Sequence, residues 1–148
     1  MSTATVANPY LREAVLTASP EQLQLMLYDG AIRFTMQGRE ALLKKDFEAV
    51  YNALTRAQKI VLEMHAGLRP EVNPTLCERV GALYMFVYHK LVDGSAHHDV
   101  QALDDALKIL RLERETWQLL CDRVATDRGG DLVASDSEPE PGTLSVEV

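Results

Sequence analysis

Four histidines, two cysteines and one pair of adjacent aspartates are the side chains of this chain that could do chemistry. His97, His98 and Asp99 stand together and offer metal-ligating atoms. Consecutive side chains beside a helix start do not converge on one ion, and no fourth ligand is suggested, so no metal site is expected. There is no CxxC or HExxH pair and no glycine-rich loop to cradle a phosphate. Asp104 and Asp105 are neighbours on a helical pattern and do not face each other, which reads as a solvated face rather than a paired acid and base. Cys77 and Cys121 each lie inside an apolar helical pattern, as buried free thiols of a reducing compartment do. No nucleophile stands at a recognisable spacing from a base. Neither catalysis nor a cofactor is expected.

Phosphotransfer is excluded on similar grounds. A phosphoryl-carrying histidine on a helical bundle is followed by lysine at +3 and glycine at +4. His89 is followed by Val92 and Asp93, with Gly94 one place late, and an aspartate there would repel the phosphoryl charge.

Charge narrows the partners. The net charge is −7, and residues 127–148 hold six acids against Arg128 alone, a net −5 that leaves the rest at −2. No basic stripe exists for a phosphate backbone, so nucleic acid is not a partner. The N-terminus, MSTATVANPYLREAVL, has no basic segment followed by an apolar one, and no apolar run approaches the ~20 residues that span a bilayer. A cytoplasmic protein without membrane insertion is expected.

The elements that must position these side chains are helices. Residues 1–18 read as a flexible arm anchored by Tyr10, Val15 and Leu16. Ser19, Pro20 and Gln22 form a capping-box start for a first bundle helix running to about Lys44. Asp46 caps a second helix to about Ala66, stopped by Gly67. Asn73 with Pro74 starts a third, ended by Gly94, and Asp99 opens a fourth from Val100 to about Val124. No segment alternates with period two. The fold class is therefore all-α, an antiparallel four-helix bundle over residues 19–126, followed by an acidic tail, 127–148, expected to be disordered.

At 100° per residue, the first helix places Leu23, Met26, Leu27, Gly30 and Phe34 on one stripe, expected to be core. Leu25, Tyr28, Ile32 and Met36 fall opposite. The third repeats this with Leu76, Val80, Leu83, Val87 and Leu91 on one side and Gly81, Met85, Tyr88 and Val92 on the other. The second and fourth helices are closer to one-faced, the second carrying Phe47, Val50, Tyr51, Leu54 and Val61. A second apolar face needs a cover: the arm, a second copy in a weak homodimer, further burial, or an amphipathic partner helix. Met26, Met36, Met64 and Met85 suit an adaptable surface.

The run LTASPEQLQLMLYDGAIRF, Leu16 to Phe34, resembles the signature of the FliS family of flagellin export chaperones. Weaker blocks at Asn73–Leu91 and Leu107–Leu120, the second holding Arg114, Glu115, Thr116 and Trp117, agree in order and spacing. The resemblance covers roughly residues 8–125 and implies a non-enzymatic bundle. Such a protein binds the C-terminal segment of flagellin, prevents its polymerisation and presents it to the flagellar export gate. It implies too that the arm can lie where flagellin binds, so that Tyr10 and Leu16, with Leu25, Tyr28, Ile32, Met36, Gly81, Met85, Tyr88 and Val92, are candidate partner-binding residues. The loop Gly67–Asn73 lacks the Gly-Gly-acidic stretch of the family, and the tail lies beyond the match. Alternatives of a different class are an adaptor for another secreted helical client and a self-associating structural bundle.

Overall fold

Each helix of the bundle begins where a side chain can take up its first free backbone N–H. In the computed structural model, which describes residues 9–136 and only the backbone over 130–136, Ser19 Oγ accepts from Gln22 N while the Gln22 side chain accepts from Ser19 N. Pro20 fills the first position, where no N–H is needed. Asp46, Asn73 and Asp99 accept from the N–H three residues on in the same way. The elements are α1 (Pro9–Thr17), α2 (Pro20–Leu43), α3 (Phe47–Ala66), α4 (Pro74–His97) and α5 (Val100–Asp136). Ser19→Ala removes the Oγ half of the capping box, leaving the backbone N–H of residue 19 to Gln22, and is expected to cost about 1 kcal/mol, read as a melting temperature lower by about 3 °C.

α2 to α5 pack as an antiparallel ring: each helix lies on its neighbour in sequence and α5 closes on α2. The diagonal helices α2 and α4 touch through Tyr28 and Tyr84. Besides Arg128 with Glu21 near the start of α2, two ion pairs hold the α2–α5 seam, Arg39 with Asp104 and Arg114 with Asp29. The pairs have equal spacing on the two helices and opposite order, as antiparallel rods in register require. A parallel alignment would set Asp29 against Asp104 and Arg39 against Arg114, so the charges also select against the wrong orientation. Asp105 turns the other way, to Lys90 of α4. The adjacent aspartates thus straddle two seams instead of forming one solvated face.

The core of α2 is the stripe Tyr28, Ala31, Thr35, Gly38 and Leu42. It meets Val50, Leu54, Ala57, Val61 and Met64 of α3, Tyr84, Val87 and Leu91 of α4, and Leu103, Ala106 and Leu110 of α5. This corrects the expected stripe in part: Gly30 is buried and Leu27 packs against the core, but the buried face is centred elsewhere. Leu23 is exposed, and Phe34 is half-buried at the surface, with the guanidinium groups of Arg33 and Arg56 5.0 and 5.6 Å from its ring centre. The centre of the stripe carries small residues that let helices approach, so counting bulky side chains turns the expected face to one side of it.

The end of the bundle holding the α2–α3 and α4–α5 turns is tight. At Gly38 a Cβ would lie 2.7 Å from Leu54 Cγ, and at Gly94 one would lie 2.7 Å from Leu103 Cγ. Each hairpin therefore seats a leucine of its returning helix in a glycine notch of the outgoing one. Gly94 does not end α4. The helix runs to His97 and stops at His98, which is left-handed (φ 53°) and stacks on Phe47 at 4.1 Å.

The terminal segments also differ from expectation. α1 lies within the arm, and α5 continues past Val124 to Asp136, well into the stretch read as a tail. The longer α5 is tied to the start of α2, where Trp117 Nε1 and the Cys121 thiol donate to Glu21 O and Arg128 pairs with the Glu21 carboxylate. Residues 1–8 and 137–148, parts of the expected arm and tail, lie outside the described residues.

Candidate partner-binding surface

The opposite end is open. There α3 turns through Gly67–Asn73 into α4, while α2 begins and α5 runs on, and a cleft of about 610 Å³ lies between the four helices. Leu68, Leu76, Val80, Leu83, Leu112 and Leu120 form its walls. Leu76, Leu83, Leu112 and Leu120 are exposed, an apolar cluster of the kind that makes this end a candidate interaction surface.

Its floor is polar. Tyr28 and Tyr84 hydroxyls lie 2.9 Å apart, and Gln24 Nε2 donates to Tyr84 at 3.0 Å. Burial raises both tyrosines, so both keep their protons at any physiological pH. Glu113 stands beside them, its Oε1 buried without a hydrogen-bond partner. Burial alone pushes its carboxyl from 4.5 up to about 7. Its proton is thus held more tightly folded than unfolded: the group's contribution to stability is complete below 4.5 and lost as pH rises through about 7. Denaturation of the wild type should show stability gained as pH falls across that window, and Glu113→Gln should lack this part of the gain.

A second, shallower groove of about 650 Å³ runs along α2 toward the start of α3, lined by Ile32 and Met36 among Asp29, Arg33, Glu40 and Lys44. Arg111 donates to Met36 Sδ at its edge. With so many charges in its lining it offers less apolar area to a partner than the cleft.

The residues proposed from sequence do not form one face. Tyr28 and Gly81 are buried, Tyr28 because it meets Tyr84 across the core and Gly81 because Leu68 and His65 pack over it. Leu25, Ile32, Met85, Tyr88 and Val92 are half-buried, and Ile32 and Tyr88 pack against the core. Met36 is 47% exposed. The second faces of α2 and α4 cannot share an outer groove, because these helices are diagonal in the ring. Tyr10 and Leu16 are exposed on α1. Gln24, Tyr84 and Glu113 escaped the sequence reading. The signal for Glu113 was present: Leu103, Ala106, Leu110, Glu113 and Trp117 share one stripe, and a carboxylate in such a stripe marks a site.

Among the described residues no cluster of His, Cys, Asp and Glu could hold a metal, and no helix is long and apolar enough to cross a membrane. Both cysteines are free and half-buried, and burial, with Glu21 and Asp122 nearby, raises the Cys121 thiol.

The family model described as "Flagellar protein FliS" matches residues 2–124. A flagellar secretion chaperone FliS of Bacillus subtilis (strain 168) is 29% identical over 128 residues, 84% of this chain and 95% of the relative. One of Salmonella typhimurium is 30% identical over 113 residues, 76% and 84% of the two chains. A solved structure described as a flagellar chaperone from bacteria superposes with a TM-score of 0.66 at 15% identity, covering 82% of this chain and 98% of its own. That likeness supports the bundle fold, and the matched sequence, which spans the first three bundle helices and most of α5, places this non-enzymatic chain in the FliS family of flagellar secretion chaperones.

Proposed function

We propose that the protein is a cytoplasmic chaperone for flagellin: it binds the C-terminal helical segment, prevents premature polymerisation and assists delivery to the flagellar export gate. The observation that carries this reading is the apolar cleft at the open end of the bundle, in a chain whose relatives are named flagellar secretion chaperones. An unassembled segment lacks its filament neighbours and would bury its apolar face there, with a further stretch reaching Ile32 and Met36 in the second groove. Burial of apolar surface contributes about 25 cal/mol per Å², less about 2–5 kcal/mol for ordering the segment.

α1 joins the bundle next to this end and presents Tyr10 and Leu16, 85% and 74% exposed. In this reading it is a displaceable cover that competes with the client, and deletion of residues 1–18 tightens binding by removing the closed fraction. The test is calorimetric titration with the flagellin encoded by the same bacterium, with and without its C-terminal segment. One-to-one binding with a large negative heat-capacity change, lost with that segment, is expected. A stable dimer by light scattering that binds no flagellin would replace this reading with self-association.

A further inference from the structure

The floor of the cleft has hydrogen-bonding capacity that the chain itself does not use. The two tyrosine hydroxyls carry two protons. One lies between their oxygens, and the Gln24 amide donates to Tyr84. Whichever tyrosine donates to the other, one hydroxyl proton remains without an acceptor from this chain. Nearby, Glu113 Oε1 is buried without a donor. A spare donor and a spare acceptor thus lie on one floor, among walls of leucine and valine.

Resting on the reading of the cleft as a client site, we propose that this floor selects a partner helix bearing one amide or hydroxyl side chain (Asn, Gln, Ser or Thr) on an otherwise apolar face. That side chain inserts between Glu113 and the tyrosine pair, donating to the carboxylate and accepting from the free hydroxyl. Only a group that does both satisfies the floor. Lysine and arginine donate but cannot accept, an ionised carboxylate accepts but cannot donate, and an apolar residue does neither. Covering Glu113 with an apolar face would strand it dry, because burial already pushes it up to about 7 in the open cleft. Glu113, Tyr28 and Gln24 therefore act as specificity determinants, while the leucine walls supply area.

The test uses the full chain and a synthetic peptide of the flagellin C-terminal segment in which each Asn, Gln, Ser and Thr is changed in turn to leucine. Against the wild type, one position should weaken binding about ten- to hundredfold, the usual consequence of leaving buried polar groups unpaired. Against Glu113→Leu, whose floor keeps the spare hydroxyl but has lost the buried acceptor, the same peptide should lose much less affinity relative to the parent. Tyr28→Phe provides a second variant if that protein does not fold, and should shrink the penalty. Binding of the parent peptide with no position that separates wild type from variants overturns the inference and leaves the client reading intact. So does a lysine peptide that binds more tightly than the amide it replaces. Failure of the parent peptide to bind the wild type overturns both.

Discussion

Leu103→Ala is expected to cost the fold about 3–5 kcal/mol, the upper part of the range for buried leucines and a large share of a typical domain's stability. Leu103 has no exposed surface and sits in the notch of Gly94, so neighbours that are themselves in contact cannot collapse into the space. The notch makes the prediction sharper. Gly94→Ala alone should destabilise by about 1–3 kcal/mol, since its Cβ would overlap Leu103 despite the better helix propensity of alanine. In the Leu103→Ala background the same change should stabilise, because the new methyl enters the vacated space and the propensity gain of ~1 kcal/mol is unopposed. Urea denaturation of the four proteins gives the cycle. Gly94→Ala that is harmful to the same extent in both backgrounds would mean that the two residues do not share this contact.

Client binding should be the other large effect. Leu83→Glu with Leu112→Glu places two carboxylates on opposite walls of the cleft and is expected to weaken flagellin binding more than about 100-fold, as charges facing an apolar partner are stripped of water without a counterpart. Leu83 and Leu112 are 38% and 59% exposed, so the free protein should melt near the wild-type temperature. Tyr51→Glu with Leu62→Glu, exposed apolar positions of α3 outside the cleft, is the matched control and should bind normally. Loss in both pairs would point to general surface hydrophobicity, and loss in neither would exclude the cleft.

Helix starts were legible because a cap is local: Ser19 with Gln22, Asp46, Asn73 and Asp99 each act within one turn. The face of α2 was not. Its core side is built from Ala31, Thr35 and Gly38, whose value is the closeness they permit to Leu54 and other neighbours, and that depends on the partner helix. For the same reason Gly94 looked like a helix stop, when its missing side chain serves a leucine of the next helix. The charges were visible, but their pairing was not, since Asp104 and Asp105 acquire meaning only once α5 lies between α2 and α4. The apolar excess on the third bundle helix is plain from its spacing, but Leu76 and Leu83, on its expected core stripe, line the open end.

The contrast between the two ends of the bundle also bears on the order in which it assembles and loosens. Both glycine notches join residues separated only by one turn, so the tight end closes with small loss of chain entropy and belongs early in folding. The open end depends on remote partners: the tyrosine hydroxyls are 56 residues apart, and the Trp117 bond to Glu21 spans 96. Those links form last and open first, without global unfolding. Amide hydrogen exchange should therefore run fastest in the first turns of α2 and α4 and slowest around Gly38, Leu54, Gly94 and Leu103. A molecule graded in this way can spread its receiving end around an incoming helix while its far end stays closed.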